Sequence, residues 1–594
     1  GLCTGTGNLY GGYLMKFLDT QELVVSTLSP VHIGCGEDYE PTEYVVDTSG
    51  VLHRFDAGIL PDLSDAGISS DILTILSNGE AHTEQLRAVH KVLSKYRDKI
   101  IPLASVHVSM CTGVHAHYKS TQDKKNDFNR NGVERTSYQP FNQLPYLPGS
   151  SIKGAIRTAI LNEHIAGNNP CSTVLMRQIQ DFNTMIEEYD PGNGKLLLRL
   201  KLQHTKWDYD RARKNIEKAI ADVSSALGTD LLGGKFETDP LRALKVSDAA
   251  PLDIEIEREI RFCLNRSRSG RRSQAQVKNL YTRLEYILEH QPAAFSLSLT
   301  LQNLHEIAGR RNHRNELISP SADKLLSWTG IVKACNSYYL NRLDDDLAML
   351  GKLYPTSEWR KQTQSILDAG LRDQIKTGNC LLLRIGKHGG ANSNTVSGRQ
   401  IKIMLNEDKR EANGKEEKIR LYTFDDESRT IWYCGDDLDK PSDLLPHGWI
   451  VLSNPDQIWH ADLPGFERRC ARQQAIAESA RRQAEAAAAE QAKAAAQVAR
   501  EAALAAMTEN QRRIEAFSSM CARRAEQLRG GKENPNAAIH TAARELVKAA
   551  LEGADWTIDE KCAVADAIEE WLPKLVKVEL KDERKKLKLS ALRT

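Results

Sequence analysis

The sequence predicts an α+β fold followed by a helical C-terminal extension. Three observations carry that prediction. Short β-branched runs bounded by Gly and Pro, such as residues 23–31, read as strands. Ile152, Ile156 and Ile160 recur at helical spacing. The composition then shifts near Phe466 to an alanine-rich tract. Strands and helices mixed in this order suit a sheet with helices packed on one face.

Taken in order, residues 1–14 read as a leader, because Met15-Lys16-Phe17 is a more natural start. The first strand, residues 23–31, runs into Ser29-Pro30-Val31-His32-Ile33-Gly34-Cys35-Gly36, where proline and glycine signal a turn. Strands follow at Tyr44-Val45-Val46 and at residues 51–55, then helical pattern with breaks over residues 68–99, then a strand over 100–110. A helix opens near Ile152, and residues 166–235 read as a polar helical insertion containing Trp207 and Tyr209. Strand alternation returns at Ile254-Glu255-Ile256 and over residues 295–299. The first α+β domain is therefore placed at residues 15–298, and a second α+β unit at 299–465.

Residues 466–530 predict one projecting helix. Glu478 with Arg482 and Glu509 with Arg513 lie at the supportive four-residue spacing. Large apolar residues are too few for a coiled-coil seam. A single helix of ~60 residues reaches roughly 90 Å. Gly530-Gly531 breaks it, and residues 536–594 form a small helical unit. Within that unit one helix stops near Gly553, Thr557 and Glu560 form a capping box, Pro573 limits the next helix, and the basic tail from Lys581 to Lys588 is expected to be mobile.

The 594 residues allow two or three domains, and a formal net charge of +1 provides no overall field to attract nucleic acid. A nucleic-acid partner must be held by local patches. Eleven cysteines occur without a single CxxC pair, which argues against a zinc ribbon or disulfide framework and favours a reducing cytoplasm. No apolar run of about 18 residues is present, so no membrane is expected as a partner.

The most informative stretch is Pro145-Tyr146-Leu147-Pro148-Gly149-Ser150-Ser151-Ile152-Lys153-Gly154-Ala155-Ile156-Arg157. The prolines force an extended approach, and serine at the corner is suited to cap a new helix. Lys153 and Arg157 project from its first turns, so amides, helix dipole and two cations converge where a phosphate would fit. A plain capped helix with solvated cations accounts for the same spacing. Lys153 precedes Gly154, so this is no nucleotide P-loop.

A second stretch, Arg384-Ile385-Gly386-Lys387-His388-Gly389-Gly390-Ala391-Asn392-Ser393, pairs backbone freedom with Arg384, Lys387 and His388; a flexible hairpin tip is the alternative. In Asp239-Pro240-Leu241-Arg242-Ala243-Leu244-Lys245-Val246-Ser247-Asp248, Lys245 and Ser247 share one strand face, and Lys245 is placed to meet a phosphate backbone or solvent. Arg266, Arg268, Arg271 and Arg272 around Gly270, and Arg310, Arg311 and Arg314, are basic knots that more often mean a solvated surface. His107, Cys111, His115 and His117 invite a metal reading, with His115 and His117 alternating on a strand, but a fourth converging ligand is not evident and none is assigned. Gly435-Asp436-Asp437 reads as a loop. No serine-nucleophile elbow or zinc-protease helix occurs, and neither catalytic residues nor a cofactor is assigned.

The run from Leu147 to Arg157 resembles the signature of the RAMP superfamily of CRISPR-associated proteins. Ser29-Pro30-Val31-His32-Ile33-Gly34, Leu244-Lys245-Val246-Ser247-Asp248, Arg384-Ile385-Gly386-Lys387 and Pro446-His447-Gly448-Trp449-Ile450 are similar to the subgroup forming the fifth Csm subunit of type III-A effector complexes. The resemblance spans about Phe17 to Asp462. It implies two RRM-like (ferredoxin-like) units and a non-catalytic, RNA-binding subunit that caps the filament at the 3′ end of the CRISPR RNA, supporting its maturation and complex assembly. The implied RNA-contacting residues are Gly149, Ser150, Ser151, Lys153, Gly154 and Arg157 in the signature loop, and Gly386, Lys387, His388, Gly389 and Gly390 in the second loop, with His32 and Lys245 beside them. The implied partners are CRISPR RNA, a neighbouring RAMP backbone subunit and other Csm subunits, in a prokaryotic cytoplasm. The helical insertion, alanine-rich helix and terminal unit have no counterpart in that resemblance and are candidates to dock a host nuclease or another subunit. The rival expectation is a RAMP endoribonuclease processing precursor CRISPR RNA, with His32, His107, His115 or His388 as acid–base.

Overall fold

The computed structural model describes residues 17–60, 67–77, 82–122, 131–165, 169–189, 197–252, 256–268, 280–412 and 415–594. The leader, Ile254-Glu255, Arg271 and Arg272 lie outside them. The chain divides into two compact units, Gly1–Cys470 and Ala471–Thr594.

Two sheets organise the first unit. In one, the order is Ala250–Pro251, Phe295–Gln302, Leu18–Thr27, Trp449–Ser453 and Cys380–Arg384, with Leu244–Val246 also pairing with Phe295–Gln302. Its pairings are antiparallel. In the other, the order is Gly34–Tyr39, Val133–Thr136, Tyr281–Ile287, Arg258–Ser267, Val106–Met110, Val51–Arg54 and Tyr44–Val46, and Thr430–Gly435 joins on Arg258–Ser267. The expected strands near residues 23–31, 44–46, 51–55 and 295–299 form, whereas the strand expected over 100–110 is confined to Val106–Met110, Arg97–Ile100 and Ile101–Leu103 being helical.

The boundary expected at residue 298 does not divide two bodies. Val24 and Val25 pair with Phe295–Gln302 on one edge and with Trp449–Ser453 on the other, so a late strand closes against the first. Thr430–Gly435 likewise pairs with Arg258–Ser267. Val25, Val108, Ile156, Phe262, Leu382 and Trp449 belong to one continuous core. Alternation along a strand shows which face is buried, not which strand lies alongside.

The insertion is not wholly helical. The helices Thr173–Asn183 and Lys206–Leu232 flank a hairpin of Ile186–Tyr189 and Leu197–Leu200. They share a separate core, including Phe182, Tyr209 and Ile216, with Ile419, Leu421 and Phe424 of the hairpin Ile401–Ala412/Lys415–Asp425. His115 and His117 lie on the helix Thr112–Thr121, not on a strand; Val106–Met110 supplies the strand, and the chain turns at Cys111.

In the second unit the alanine-rich tract is two helices. Gly465–Ala506 ends, and Glu509–Leu528 restarts on a capping box in which Thr508 and Gln511 satisfy each other's backbone amides. The ion pairs Glu478–Arg482 and Glu509–Arg513 form, at 3.9 and 2.8 Å. Helices Ala538–Glu552 and Ile558–Leu575 pack with Phe517 and Cys521 in a core of their own, and the Thr557–Glu560 capping box forms. Pro573 is accommodated inside the last turns rather than ending the helix. The basic tail is folded: Leu580–Lys586 is helical, and Leu587, Leu589 and Leu592 are buried. Those three leucines supply the anchor, which a reading of the charges alone passes over. Among the described residues no helix is long and apolar enough to cross a membrane.

Candidate nucleic-acid interface

The signature loop begins extended. Leu147 and Ala249 exchange backbone hydrogen bonds of 3.1 and 2.8 Å, and Pro148 sits at the cap position of the helix Gly149–His164 with ψ 128°. No serine side chain caps that helix. The Gly149 amide instead donates to Asp248 Oδ1 at 2.7 Å, and the Ser151 amide donates to the Pro148 carbonyl. A carboxylate contributed from a distant part of the chain thus compensates the positive helix end. Gly149 is required by packing: a Cβ there would lie 2.6 Å from the Val246 and Ser247 carbonyl oxygens. Ile152, Ile156 and Ile160 are buried, as their spacing predicts.

With the first amide occupied, side chains carry the positive charge. Lys153 is half-buried and donates from Nζ to the Leu244 carbonyl at 2.8 Å. Burial lowers its pKa, and the nearby Lys245 ammonium lowers it further. Lys245 and Arg157 are exposed, as are Ser150 and Gly154. Lys153, Lys245 and Arg157 therefore form a cationic face along the first turns of the helix and the adjoining strand edge.

The second loop is docked on the turn after the first strand. Gly386 has φ 82°, and a Cβ there would lie 2.4 Å from the His32 carbonyl oxygen, which accepts the Lys387 amide at 2.9 Å. The Lys387 ammonium pairs with Glu134, whose Oε2 is 3.8 Å from His32 Nε2. His32 is buried, with Nδ1 2.9 Å from the Glu285 carbonyl. The His388 ring lies 5.1 Å from Trp432 and 5.7 Å from His447, and His447 stacks on Tyr286 at 5.5 Å. Burial lowers the pKa of all three histidines, that of His388 to about 4, so these rings are neutral at pH 7.

Buried Arg384 braces this loop from below. Its Nε donates to the His447 carbonyl at 2.8 Å, Nη1 donates to Ser393 Oγ at 2.8 Å, and the guanidinium pairs with Asp346 at 3.0 Å. Ser393 Oγ in turn donates to the Gly389 carbonyl at 2.7 Å, while Gly390 adopts φ 80°. The loop is thus a held structure rather than a free hairpin tip.

The structure gathers the expected residues into two groups. Gly149, Ser150, Ser151, Lys153, Gly154 and Arg157 join Lys245, while Gly386, Lys387, His388, Gly389 and Gly390 join His32. One scaffold carries both, because the helix Gly149–His164 packs on Cys380–Arg384 and on the helix Trp328–Leu353. Sequence reasoning missed Asp248, Glu134, Asp346 and His447 as organisers. Asp248 and His447 stand in quoted motifs, yet Glu134 and Asp346 give no local signal.

The other candidates disperse. His107 faces His53 at 2.8 Å, Cys111 donates to the Asp436 carbonyl, and His117 meets Tyr281 and Arg283. Among the described residues no three His, Cys, Asp or Glu stand together as a metal site. Asp436 and Asp437 accept hydrogen bonds from Ser442, Asp439 and Lys440 within their own loop. Arg266 bonds to the Leu438 carbonyl, Arg268 pairs with Glu427, and Arg310 and Arg311 bond to nearby backbone, so these basic knots are largely tied down.

The signature loop, its cationic face and the glycine loop define a class: the chain belongs to the RAMP superfamily, whose family model matches residues 24–331. Within that superfamily it is similar to the CRISPR system Cms protein Csm5 of Methanocaldococcus jannaschii, with 29% identity over 191 residues. That alignment covers 31% of this chain and 40% of the relative. Among solved structures, a chain of a type III-A Csm–crRNA–target RNA ternary complex matches at 15% identity and TM-score 0.40, over 73% of this chain and 100% of that one. The crystal structure of T. onnurineus Csm5 matches at 16% identity and TM-score 0.38, over 62% and 90%.

Proposed function

We propose that this chain is an RNA-binding, non-catalytic subunit of a type III-A CRISPR complex, the counterpart of Csm5, capping the filament at the 3′ end of the CRISPR RNA and supporting its maturation. The observation that carries this reading is the cationic face of Lys153, Lys245 and Arg157 on the RAMP signature helix. Exposed cations such as Lys245 and Arg157 contact phosphates without reading bases, as a subunit that leaves specificity to base pairing requires. In this reading the two sheets are the two RRM-like units, each drawing strands from both halves of the chain. The partners are CRISPR RNA, a neighbouring RAMP subunit, other Csm subunits and a host nuclease, in a prokaryotic cytoplasm.

Burial argues against His32, though not against the exposed His107, as the acid–base of the rival nuclease. A general acid or base must reach the proton it transfers, and His32 is 1% exposed with its ring held against the Glu285 carbonyl. The test is co-expression with the genomic neighbours, isolation of the complex and sequencing of its RNA. Short RNAs sharing one repeat-derived 5′ tag, with longer or ragged 3′ ends when this subunit is omitted, are expected. Arg157→Ala with Lys245→Ala should weaken RNA retention and flatten its salt dependence. Isolation of the chain alone, cutting precursor RNA within the repeat, would replace this reading with the processing nuclease.

A further inference from the structure

We propose that the C-terminal unit carries a second nucleic-acid contact, a cationic concavity that takes the phosphate backbone of a single strand. The concavity, about 600 Å³, is lined by Arg584, Lys585, Lys588 and Arg593, with Glu569 as the acidic side chain among the described residues that line it. It is built between the helix Ile558–Leu575 and the terminal corner that buries Leu587, Leu589 and Leu592. The cations are therefore presented by ordered backbone, and the entropy of fixing the tail is already met by folding. This site is separate from the signature helix and does not rest on the reading above.

The lining charges decide how an anion is held. The forked face of Arg584 is taken by Glu569, through Nε and Nη2 at 2.7 and 2.8 Å. Arg593 Nη2 is spent on Asp566 and Glu569. The bidentate geometry that carboxylate and phosphate both take on arginine is thus already occupied within the unit. Lys585 and Lys588 are exposed and, among the described residues, make no side-chain hydrogen bond or ion pair. They remain as ammonium point charges, which bind phosphate without bidentate geometry and so can follow a backbone. Among the described residues no aromatic ring lines the concavity, so it offers no stacking platform for bases and reads backbone alone.

The test uses the full chain with Lys585→Ala and Lys588→Ala, which leave the Arg584–Glu569 fork and the buried leucines in place. Labelled oligouridine and oligothymidine are titrated across a salt series, and photocrosslinks to uridine are mapped by mass spectrometry. Both strands should bind, crosslinks should fall within residues 577–594, and the double variant should flatten the log–log salt slope by about 1.4, at about 0.7 per single-strand phosphate contact. An unchanged slope, or crosslinks confined to the first unit, overturns the proposal. So does displacement of the strand from the terminal peptide by polyglutamate as readily as by unlabelled RNA, which would assign the site to an acidic protein. The Arg157→Ala and Lys245→Ala variant is run in parallel. Its effect reports the signature face alone, so either site can fail without the other.

Discussion

The Gly149 amide donates to the Asp248 carboxylate at 2.7 Å across 99 residues of sequence. This bond joins the RAMP signature helix to the strand edge that carries Lys245. It also places a protein anion where the sequence alone suggests a phosphate, so the helix dipole is compensated before any ligand arrives. The cations beside it are left to meet RNA.

Asp248→Ala should remove that cap at a cost of about 1 kcal/mol, within the range of N-cap losses. Thermal unfolding of the isolated chain checks this. A midpoint equal to that of the unsubstituted chain would show that the bond contributes nothing net.

Two glycines five residues apart should respond in opposite directions. Gly149→Ala drives a methyl to 2.6 Å from two backbone oxygens of the 246–247 segment, and overpacking of that kind costs roughly 1–3 kcal/mol. Gly154→Ala points its methyl into open space on the same helix, and should stabilise it by about 1 kcal/mol through helix propensity. Denaturation midpoints of the two variants decide the matter. The same sign for both would refute the packing argument.

Acid should destabilise the first unit before carboxylates titrate. Burial holds His290 and His388 at about 4, and lowers His447 well below its ordinary value. Unfolded histidine titrates near 6.5, so between that value and 4 the unfolded chain binds protons that the folded chain refuses. Their stabilisation is complete above about pH 6.5 and is lost as pH falls, by up to about 1.4 kcal/mol per pH unit for each histidine. Urea midpoints measured between about pH 7.5 and about pH 5 should fall, and His290→Gln should flatten the decline. A flat profile in the unsubstituted chain would contradict the neutral buried rings.

Some of the site was legible because it is local. The isoleucine spacing of 152, 156 and 160 needs only the helical period, and the capping box at Thr557 needs only three residues. The burial of His32, by contrast, depends on the Glu285 carbonyl and on Glu134, both more than 100 residues away. The break at Thr508 escaped because a uniformly helix-favouring tract masks a single cap. The anchoring of the basic tail escaped because Leu587, Leu589 and Leu592 sit at no regular period.

By itself the sequence determined the α+β class, the alanine-rich extension and the motifs that mark a RAMP protein, because propensity, period and turn chemistry act over a few residues. Only the tertiary structure decided that the late strands Cys380–Arg384 and Trp449–Ser453 complete the first sheet, that Asp248 rather than a serine caps the signature helix, and that the glycine loop is fastened to His32. Those are pairings between segments remote in the chain. They are chosen by shared burial and by the need to satisfy each enclosed polar group, and neither condition exists until the core has formed.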